Sequence, residues 1–173
     1  LRQDRKPWLY IEIFSEVARV LGSQVHFVIV GGGKESEFDR LKLVINEHGL
    51  EGRIHLPGLS LNPDIPRSIM DLYVTLNVGS LTGIAALEAA SSFLPVLAIQ
   101  LRAEYNCGLE DWIWSSSDPL KLAGKAIELI QSPIDRKALA EKQAGYVRAY
   151  HTTEMMMESY FKLYQVAIER TKK

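Results

Sequence analysis

Three consecutive glycines, Gly31 to Gly33, separate an apolar run from a helical pattern in the stretch VIVGGGKESEF. The end of a strand and the start of a helix can bind phosphate together, because a helix N-terminus offers unpaired N–H groups and about half a positive charge. Glycine also allows the backbone to approach an anion closely. The dinucleotide fingerprint is not present, since Ser36 stands where its third glycine would fall. The glycines therefore predict either a phosphate site or an ordinary tight turn.

A carboxylate, Glu88, interrupts the alanine-rich apolar pattern of SLTGIAALE. Burying an isolated carboxylate is costly unless it meets a partner. No Lys or Arg lies between Asp71 and Arg102, so we expect Glu88 to make no buried ion pair. Two vicinal ribose hydroxyls would match one carboxylate, and the alternative is a surface carboxylate on a half-buried helix. Thr82 and Gly83 would begin that helix.

Two cations, Arg5 and Lys6, precede the first helical pattern, where they could neutralise a diphosphate or be ordinary surface charge. The sequence has neither a Walker loop nor a serine nucleophile elbow. The histidines are scattered without metal-ligand spacing, and they are His26, His48, His55 and His151. We therefore expect no metal site and no cofactor.

The elements that must position these residues alternate between strand and helix patterns. The predicted strands span 25–30, 53–58, 72–76 and 95–99. The predicted helices span about 7–21, 34–48, 65–70 and 83–91, and later helices begin at Pro119, at Pro133 and at Thr152 or Thr153. This alternation predicts right-handed βαβ units in a parallel sheet with helices on both faces. In such sheets, ligands bind beyond the carboxyl ends of the strands.

The composition fits one soluble α/β domain. The chain has 173 residues, 47% of them hydrophobic, and a formal net charge of −1, which gives no reason to expect nucleic acid as a partner. Cys107 is the single cysteine, so an intramolecular disulfide is impossible and a cytoplasmic location is predicted. No apolar run approaches the roughly 18–20 residues of a membrane span. The chain does not begin with Met, which suggests an excised fragment.

Five stretches of the sequence, taken in order, resemble motifs of the group 1 family of retaining glycosyltransferases, which have the GT-B architecture. The corresponding stretches are FVIVGGG, RIHLPG, DLYVTLN, SLTG and LEAASSFLPVLA. The LEA…LPV stretch, at the correct spacing after DLYV, is the most specific of them. The resemblance covers nearly the whole chain. It implies a Rossmann-like parallel sheet that forms the C-terminal half of the enzyme, with residues 1–173 as the nucleotide-sugar binding domain.

The resemblance also implies roles for individual residues. Glu88 matches the second Glu of the family's E-x7-E motif, which resembles a ribose clamp. Arg5 aligns best with the diphosphate-binding Lys of the family, and Lys6 is adjacent to it. The other implied donor contacts are Gly31 and Gly33 in the phosphate-side loop, Thr82, Gly83 and Ile84 in the turn facing the diphosphate, and Leu56 and Pro57 near the base.

Three departures affect the sugar-contacting half of the site. Ser80 replaces the first Glu of the motif, so the catalytic residue is unknown, and Leu81 and Phe93 replace family glycines. The first hypothesis is a retaining hexosyltransferase that is inactive as this isolated fragment. The alternatives are a non-catalytic nucleotide-binding or assembly domain and, with less support, a nucleotide-sugar epimerase fragment.

The resemblance implies two partners, a nucleotide sugar and an N-terminal acceptor domain that this chain lacks. The last helix, about 152–170, should pack toward that domain. Met155, Met156, Met157 and Phe161 should therefore be exposed here or buried in a homodimer. The full enzyme is also compatible with peripheral membrane association. Leu1 aligns just past the family's first strand, so the sheet should lack that strand or borrow a replacement.

Overall fold

A computed structural model describes residues 7–77, 83–100 and 112–171. The helices in these ranges are α1 (Trp8–Leu21), α2 (Glu35–Glu47), α3 (Asp64–Arg67), α4 (Ile84–Ser91), α5 (Pro119–Gln131), α6 (Pro133–Tyr150) and α7 (Thr153–Thr171). The strands are β1 (Phe27–Val30), β2 (Ile54–Gly58), β3 (Tyr73–Asn77), β4 (Val96–Gln100) and β5 (Trp114–Ser116). Each predicted element is present, with its ends shifted by a few residues at most.

The strands are parallel but lie in two sheets. One sheet contains β1 and β2, and the other has the order β3-β4-β5. In the described ranges no ladder joins β1 to β3, and a cavity of about 590 Å³ is lined by residues of both strands. Parallel strands connected through helices confirm the predicted α/β class. The gap between the sheets agrees with the expectation that one strand is lacking.

The core has two parts. The larger contains the buried face of α1, including Ile13 and Val17, together with α5 and the strands. The smaller packs α4 and α6 on the second sheet, where Ala89 and Ala90 are fully buried. Alanine at these positions allows α4 to approach the sheet closely, because the side chain adds little width. All five residues of β4 are buried, as its continuous apolar run predicts.

The helix starts follow the predicted signals. Asp118 Oδ1 accepts a hydrogen bond from the Leu120 N–H at 2.9 Å and caps α5, with Pro119 as the first helical residue. The buried residues of α5 are Leu122, Ala123, Ala126 and Leu129. Ile127 and Ile130 are partly buried beside them.

Helix α7 exposes its apolar side chains. Met155, Met156, Met157 and Phe161 are 40%, 53%, 49% and 62% exposed. The expected apolar surface on the last helix is therefore confirmed, and what covers it stays a prediction. None of the helices within the described ranges is long and apolar enough to cross a membrane.

Candidate functional site

The loops that follow β1 and β2 lie side by side. The Gly31 N–H donates to the Gly58 carbonyl oxygen at 2.9 Å, which continues the β1–β2 pairing into the loops. Gly58 has a φ of +81°, a left-handed conformation that glycine adopts without strain. A Cβ atom at Gly32 would lie 3.7 Å from the Leu59 Cβ, so the two loops are in contact. The glycine loop therefore lies at the carboxyl end of the first sheet, where it was predicted.

The N-terminus of α2, however, is already capped by a carboxylate. Glu37 Oε2 accepts from the Lys34 N–H at 3.0 Å, and Glu35 adds a second acidic side chain to the first turn. These carboxylates use the positive end of the helix that a phosphate would otherwise occupy. The predicted phosphate contacts of Gly31 and Gly33 stay predictions, and this capping favours the ordinary turn.

The N-terminus of α4 has the opposite character. Its N-cap, Gly83, has extended backbone, no side chain in the described part of the chain caps the helix, and its first turn has no acidic residue. Ile84, the first helical residue, is 75% exposed. An uncapped and unneutralised helix start is a favourable place for an anion. Gly83 and Ile84 thus lie at a helix start, and their contacts with a donor stay predictions, while Thr82, Ser80, Arg5 and Lys6 lie outside the described residues.

Glu88 lies one turn into α4, and it has a cationic partner. The Arg67 Nη1 donates to Glu88 Oε2 at 2.6 Å, joining α3 to α4. The Arg67 side chain is only 12% exposed, whereas the Glu88 side chain is 45% exposed. The expectation that Glu88 makes no buried ion pair therefore overlooked a part-buried one, whose Arg67 end is largely buried. It considered only residues near in sequence, and the partner comes from a different helix.

Arg67 is a site residue that the sequence analysis missed. Its Nη2 also pairs with Asp64, one turn earlier on α3. Its Nε is buried without a hydrogen-bond partner among the described residues. The i,i+3 spacing of Asp64 and Arg67 was readable from the sequence, but their approach to Glu88 depends on how α3 packs beside α4. Two carboxylates share this guanidinium, so the three groups together keep a negative charge.

Tyr73, at the start of β3, is close enough to this group to sense its charges. Burial raises the pKa of the Tyr73 hydroxyl, the charge of Arg67 lowers it, and the charge of Glu88 raises it again. The net effect is a raised pKa, so the Tyr73 hydroxyl stays protonated and neutral at physiological pH.

The two residues predicted near the base lie within β2 itself. Leu56 is partly buried against the larger core, so its side chain contributes to packing. Pro57 is exposed on the other side of the strand. Of the two, Pro57 is therefore the one accessible to a ligand.

The described residues contain no group of three or more His, Cys, Asp or Glu side chains arranged to hold a metal ion. Two histidines lie close together, His26 directly before β1 and His55 within β2. His26 Nδ1 and His55 Nε2 are 3.1 Å apart. They share one hydrogen bond, whose direction depends on the ring tautomers.

Comparison with known proteins identifies the family. The model of the family described as "Glycosyl transferases group 1" matches residues 3–132. No curated protein sequence matches the chain significantly. Among solved structures, the chain is similar to a mutant of TarM from S. aureus, with 21% identity, a TM-score of 0.74, and coverage of 90% of this chain and 32% of TarM.

Two further solved structures are similar. One is the C-terminal domain of a group 1 family glycosyl transferase, LpcC, from Francisella tularensis, with 19% identity, a TM-score of 0.73, and coverage of 88% of this chain and 83% of that one. The other is sucrose-phosphate synthase from Thermosynechococcus elongatus, with 17% identity, a TM-score of 0.79, and coverage of 98% and 44%. The chain spans about a third of TarM. The fold is that of the C-terminal half of a GT-B protein, and the chain belongs to the group 1 glycosyltransferase family.

Proposed function

We propose that this chain is the donor-binding domain of a glycosyltransferase that moves a sugar from a nucleoside diphosphate sugar to an acceptor with retention of configuration. The observation that carries the proposal is the position of Glu88. It lies one turn beyond the start of α4, which none of the described side chains caps, and Arg67 fixes one of its oxygens. The carboxylate remains half-exposed, so a ligand can reach it.

The charges divide this site into two regions. The cluster of Arg67, Asp64 and Glu88 keeps a net negative charge, which suits hydroxyl donors such as those of ribose and repels phosphate. The first turn of α4 has no acidic residue, and the N–H groups at the start of a helix suit the diphosphate. In a nucleoside diphosphate the ribose hydroxyls lie close to the diphosphate, so one ligand can contact both regions.

In the proposed reaction, the protein stabilises the departing diphosphate as negative charge develops on it. The α4 N–H groups at Gly83 and Ile84 would do this together with Arg5 or Lys6, which requires no metal or other cofactor. The family membership supports a transferase, and the TarM structure was solved in complex with UDP and alpha-GlcNAc-glycerol. A hexosyl donor, an N-terminal acceptor domain and a cytoplasmic location complete the proposal.

Titration calorimetry of the 173-residue chain with UDP, GDP and their sugars tests donor binding. Glu88→Gln should weaken nucleotide binding by about tenfold or more, because a charge-assisted hydrogen bond to ribose is lost. Glu128→Gln is the matched control, because Glu128 is 53% exposed and pairs with Lys125 on α5. Equal affinities of Glu88→Gln and the parent for both nucleotides would reject the assignment.

A second candidate is a non-catalytic nucleotide-binding or assembly domain. Ser80 stands in place of the family's first Glu, and Phe93 in place of a glycine. Two assays separate the candidates. Release of the nucleoside diphosphate from the donor sugar measures turnover, and NMR of the product's anomeric proton shows whether the configuration is retained. Turnover with retention supports the transferase, whereas tight nucleotide binding without turnover supports the second candidate.

A further inference from the structure

The histidine pair of His26 and His55 lies at the amino end of the first sheet. His26 directly precedes β1, and His55 is the second residue of β2. The facing nitrogens, His26 Nδ1 and His55 Nε2, are 3.1 Å apart, and the two ring planes are inclined by 28°. The proposed donor site is at the opposite, carboxyl end of the strands. The pair is therefore a separate feature that the proposed function does not use.

Strand pairing holds the two histidines together. β1 and β2 are parallel, and Val28 is paired with His55. His26 is two positions before Val28, so its side chain lies on the same face of the sheet as that of His55. The Arg53 Nε also donates to the Val25 carbonyl oxygen at 3.2 Å, which fixes the chain just ahead of His26. The approach of the two rings thus follows from the register of the strands.

The separation of the two nitrogens suits a metal ion. Neutral imidazole nitrogen is the commonest metal ligand in proteins and binds divalent transition cations. With a metal–nitrogen distance of about 2.05 Å, one cation would meet two nitrogens at this separation at an angle of about 100°. This angle lies between about 90° for square-planar coordination and about 109° for tetrahedral coordination. The two nitrogens can therefore be adjacent ligands of one cation.

Binding a cation changes the position of one proton. In the hydrogen-bonded pair, one facing nitrogen has the proton and donates to the other. A ligating nitrogen needs its lone pair, so this proton would move to the other nitrogen of its own ring, and each neutral ring would keep one N–H. Both residues are exposed. Both rings can therefore turn toward the cation, and water can complete its coordination.

We propose that His26 and His55 form a two-histidine site for one divalent transition cation per chain, of the class that includes Zn²⁺, Ni²⁺ and Cu²⁺. The ligands are His26 Nδ1 and His55 Nε2, with water in the other positions. The cation would join β1 to β2 and stabilise the folded chain. The site is open, and the positive charge of Arg53 is nearby, so binding should be weaker than at a closed site of four protein ligands. No metal site was expected from the sequence, because the two histidines are 29 positions apart and only folding brings them together.

NMR of the histidine ring protons tests the site during titration of the 173-residue chain with ZnCl₂. The resonances of His26 and His55 should shift together and saturate at one Zn²⁺ per chain. His48, which is exposed at the end of α2, is the internal control and should shift only at higher Zn²⁺ concentration. The same Zn²⁺ dependence for all three histidines would mean adventitious binding only and would overturn the proposal. Saturation at one Zn²⁺ per two chains would also overturn it.

Single substitutions give a second test, measured by titration calorimetry with ZnCl₂. His26→Gln and His55→Gln should each weaken Zn²⁺ binding by at least about tenfold, because loss of a group outside the ligand shell already costs about 10–100-fold in metal affinity. His48→Gln is the matched control and should leave the affinity unchanged. These side chains are exposed, so the variants should fold. Parent-like Zn²⁺ affinity in either ligand variant contradicts the assignment.

Thermal denaturation tests whether the cation stabilises the fold. Saturating Zn²⁺ should raise the Tm of the parent and of His48→Gln by at least about 2 °C, and it should leave the Tm of His26→Gln unchanged. An equal increase in His26→Gln would place the cation elsewhere in the chain. None of these measurements uses a nucleotide, so the metal site and the donor site can fail independently.

Discussion

The guanidinium of Arg67 holds the carboxylate of Glu88 from a separate helix, with Nη1 and Oε2 2.6 Å apart. The same guanidinium pairs with Asp64 on its own helix. Arg67 is largely buried, so its position is set by packing, whereas Glu88 is half-exposed. This pairing orients one oxygen of the candidate ribose contact and links the short helix α3 to the start of the site.

Replacing Arg67 should therefore affect both stability and nucleotide binding. We expect Arg67→Leu to lower the free energy of unfolding by only about 1–2 kcal/mol, since water can solvate the released carboxylates of Glu88 and Asp64, which are 45% and 76% exposed. Nucleotide binding should weaken several-fold, because Glu88 loses its fixed orientation. Urea denaturation and calorimetry with UDP and GDP measure the two effects.

Lys125→Leu is the matched control for this prediction. It removes a cation from an i,i+3 pair on α5, away from the site, so we expect a stability change within about 0.5 kcal/mol and unchanged nucleotide affinity. If the two substitutions affect nucleotide affinity equally, Arg67 has no special role in positioning Glu88.

Gln143 is a second place where one side chain has a large structural effect. It is fully buried, and its amide makes two hydrogen bonds to the backbone of Val96: Oε1 accepts from the N–H at 2.7 Å, and Nε2 donates to the carbonyl at 2.8 Å. Gln143→Met keeps the volume but removes the acceptor of the Val96 N–H and one donor to the Val96 carbonyl. The expected loss is about 2–4 kcal/mol in the free energy of unfolding.

Gln131→Met serves as the comparison for Gln143, because Gln131 is exposed at the end of α5. It should change the free energy of unfolding by less than about 0.5 kcal/mol. Equal midpoints for the two variants in urea denaturation would show that the paired hydrogen bonds to Val96 contribute little.

The sequence was most informative where the signal is local. The buried strand β4 follows from its continuous apolar run, and the start of α5 follows from Asp118 and Pro119. The resemblance added the family, and it placed Gly83, Ile84 and Glu88 on the connection after β3. These features need only residues close together in the chain or a recognisable motif.

Contacts between elements that are far apart in the chain could not be predicted from the sequence. The pairing of Arg67 with Glu88 depends on the packing of α3 beside α4, which no periodicity encodes. The hydrogen bonds of Gln143 to Val96 join residues 47 positions apart. The cap at Lys34 was missed for a different reason, because the signal Glu37 was present but the glycine loop beside it was interpreted as a phosphate site.

Helix α7 allows a test of the proposed N-terminal acceptor domain. Met155, Met156 and Met157 are about half-exposed in this chain. If α7 packs toward such a domain, hydrogen peroxide should oxidise these methionines several-fold more slowly in a polypeptide that includes the domain than in the 173-residue chain. Met70, which is partly buried against the smaller core, is the internal standard. Peptide mass spectrometry gives the rates, and equal rates in both forms would contradict packing on such a domain.

The last prediction concerns Phe93, which occupies a backbone position that favours glycine. Its φ is +60°, and it follows the end of α4. The Phe93 N–H donates to the Ala90 carbonyl and the Leu94 N–H to the Ala89 carbonyl, both at 3.0 Å. This pair of bonds is the Schellman motif, in which glycine is the usual residue at the position of Phe93. A side chain there is strained by about 1 kcal/mol.

Comparing Phe93→Gly with Phe93→Ala isolates that strain. Both variants lose the contact of the ring with Arg148, whose Cζ lies 4.5 Å from the ring centroid. They differ only in whether a Cβ is present at a positive φ. We expect the glycine variant to be more stable than the alanine variant by about 1 kcal/mol, or about 2–4 °C in Tm for a chain of this size. Because the ring contact contributes about 0.5–1 kcal/mol, the glycine variant should unfold close to the parent. An alanine variant as stable as the glycine variant in thermal denaturation would show that Phe93 is not strained.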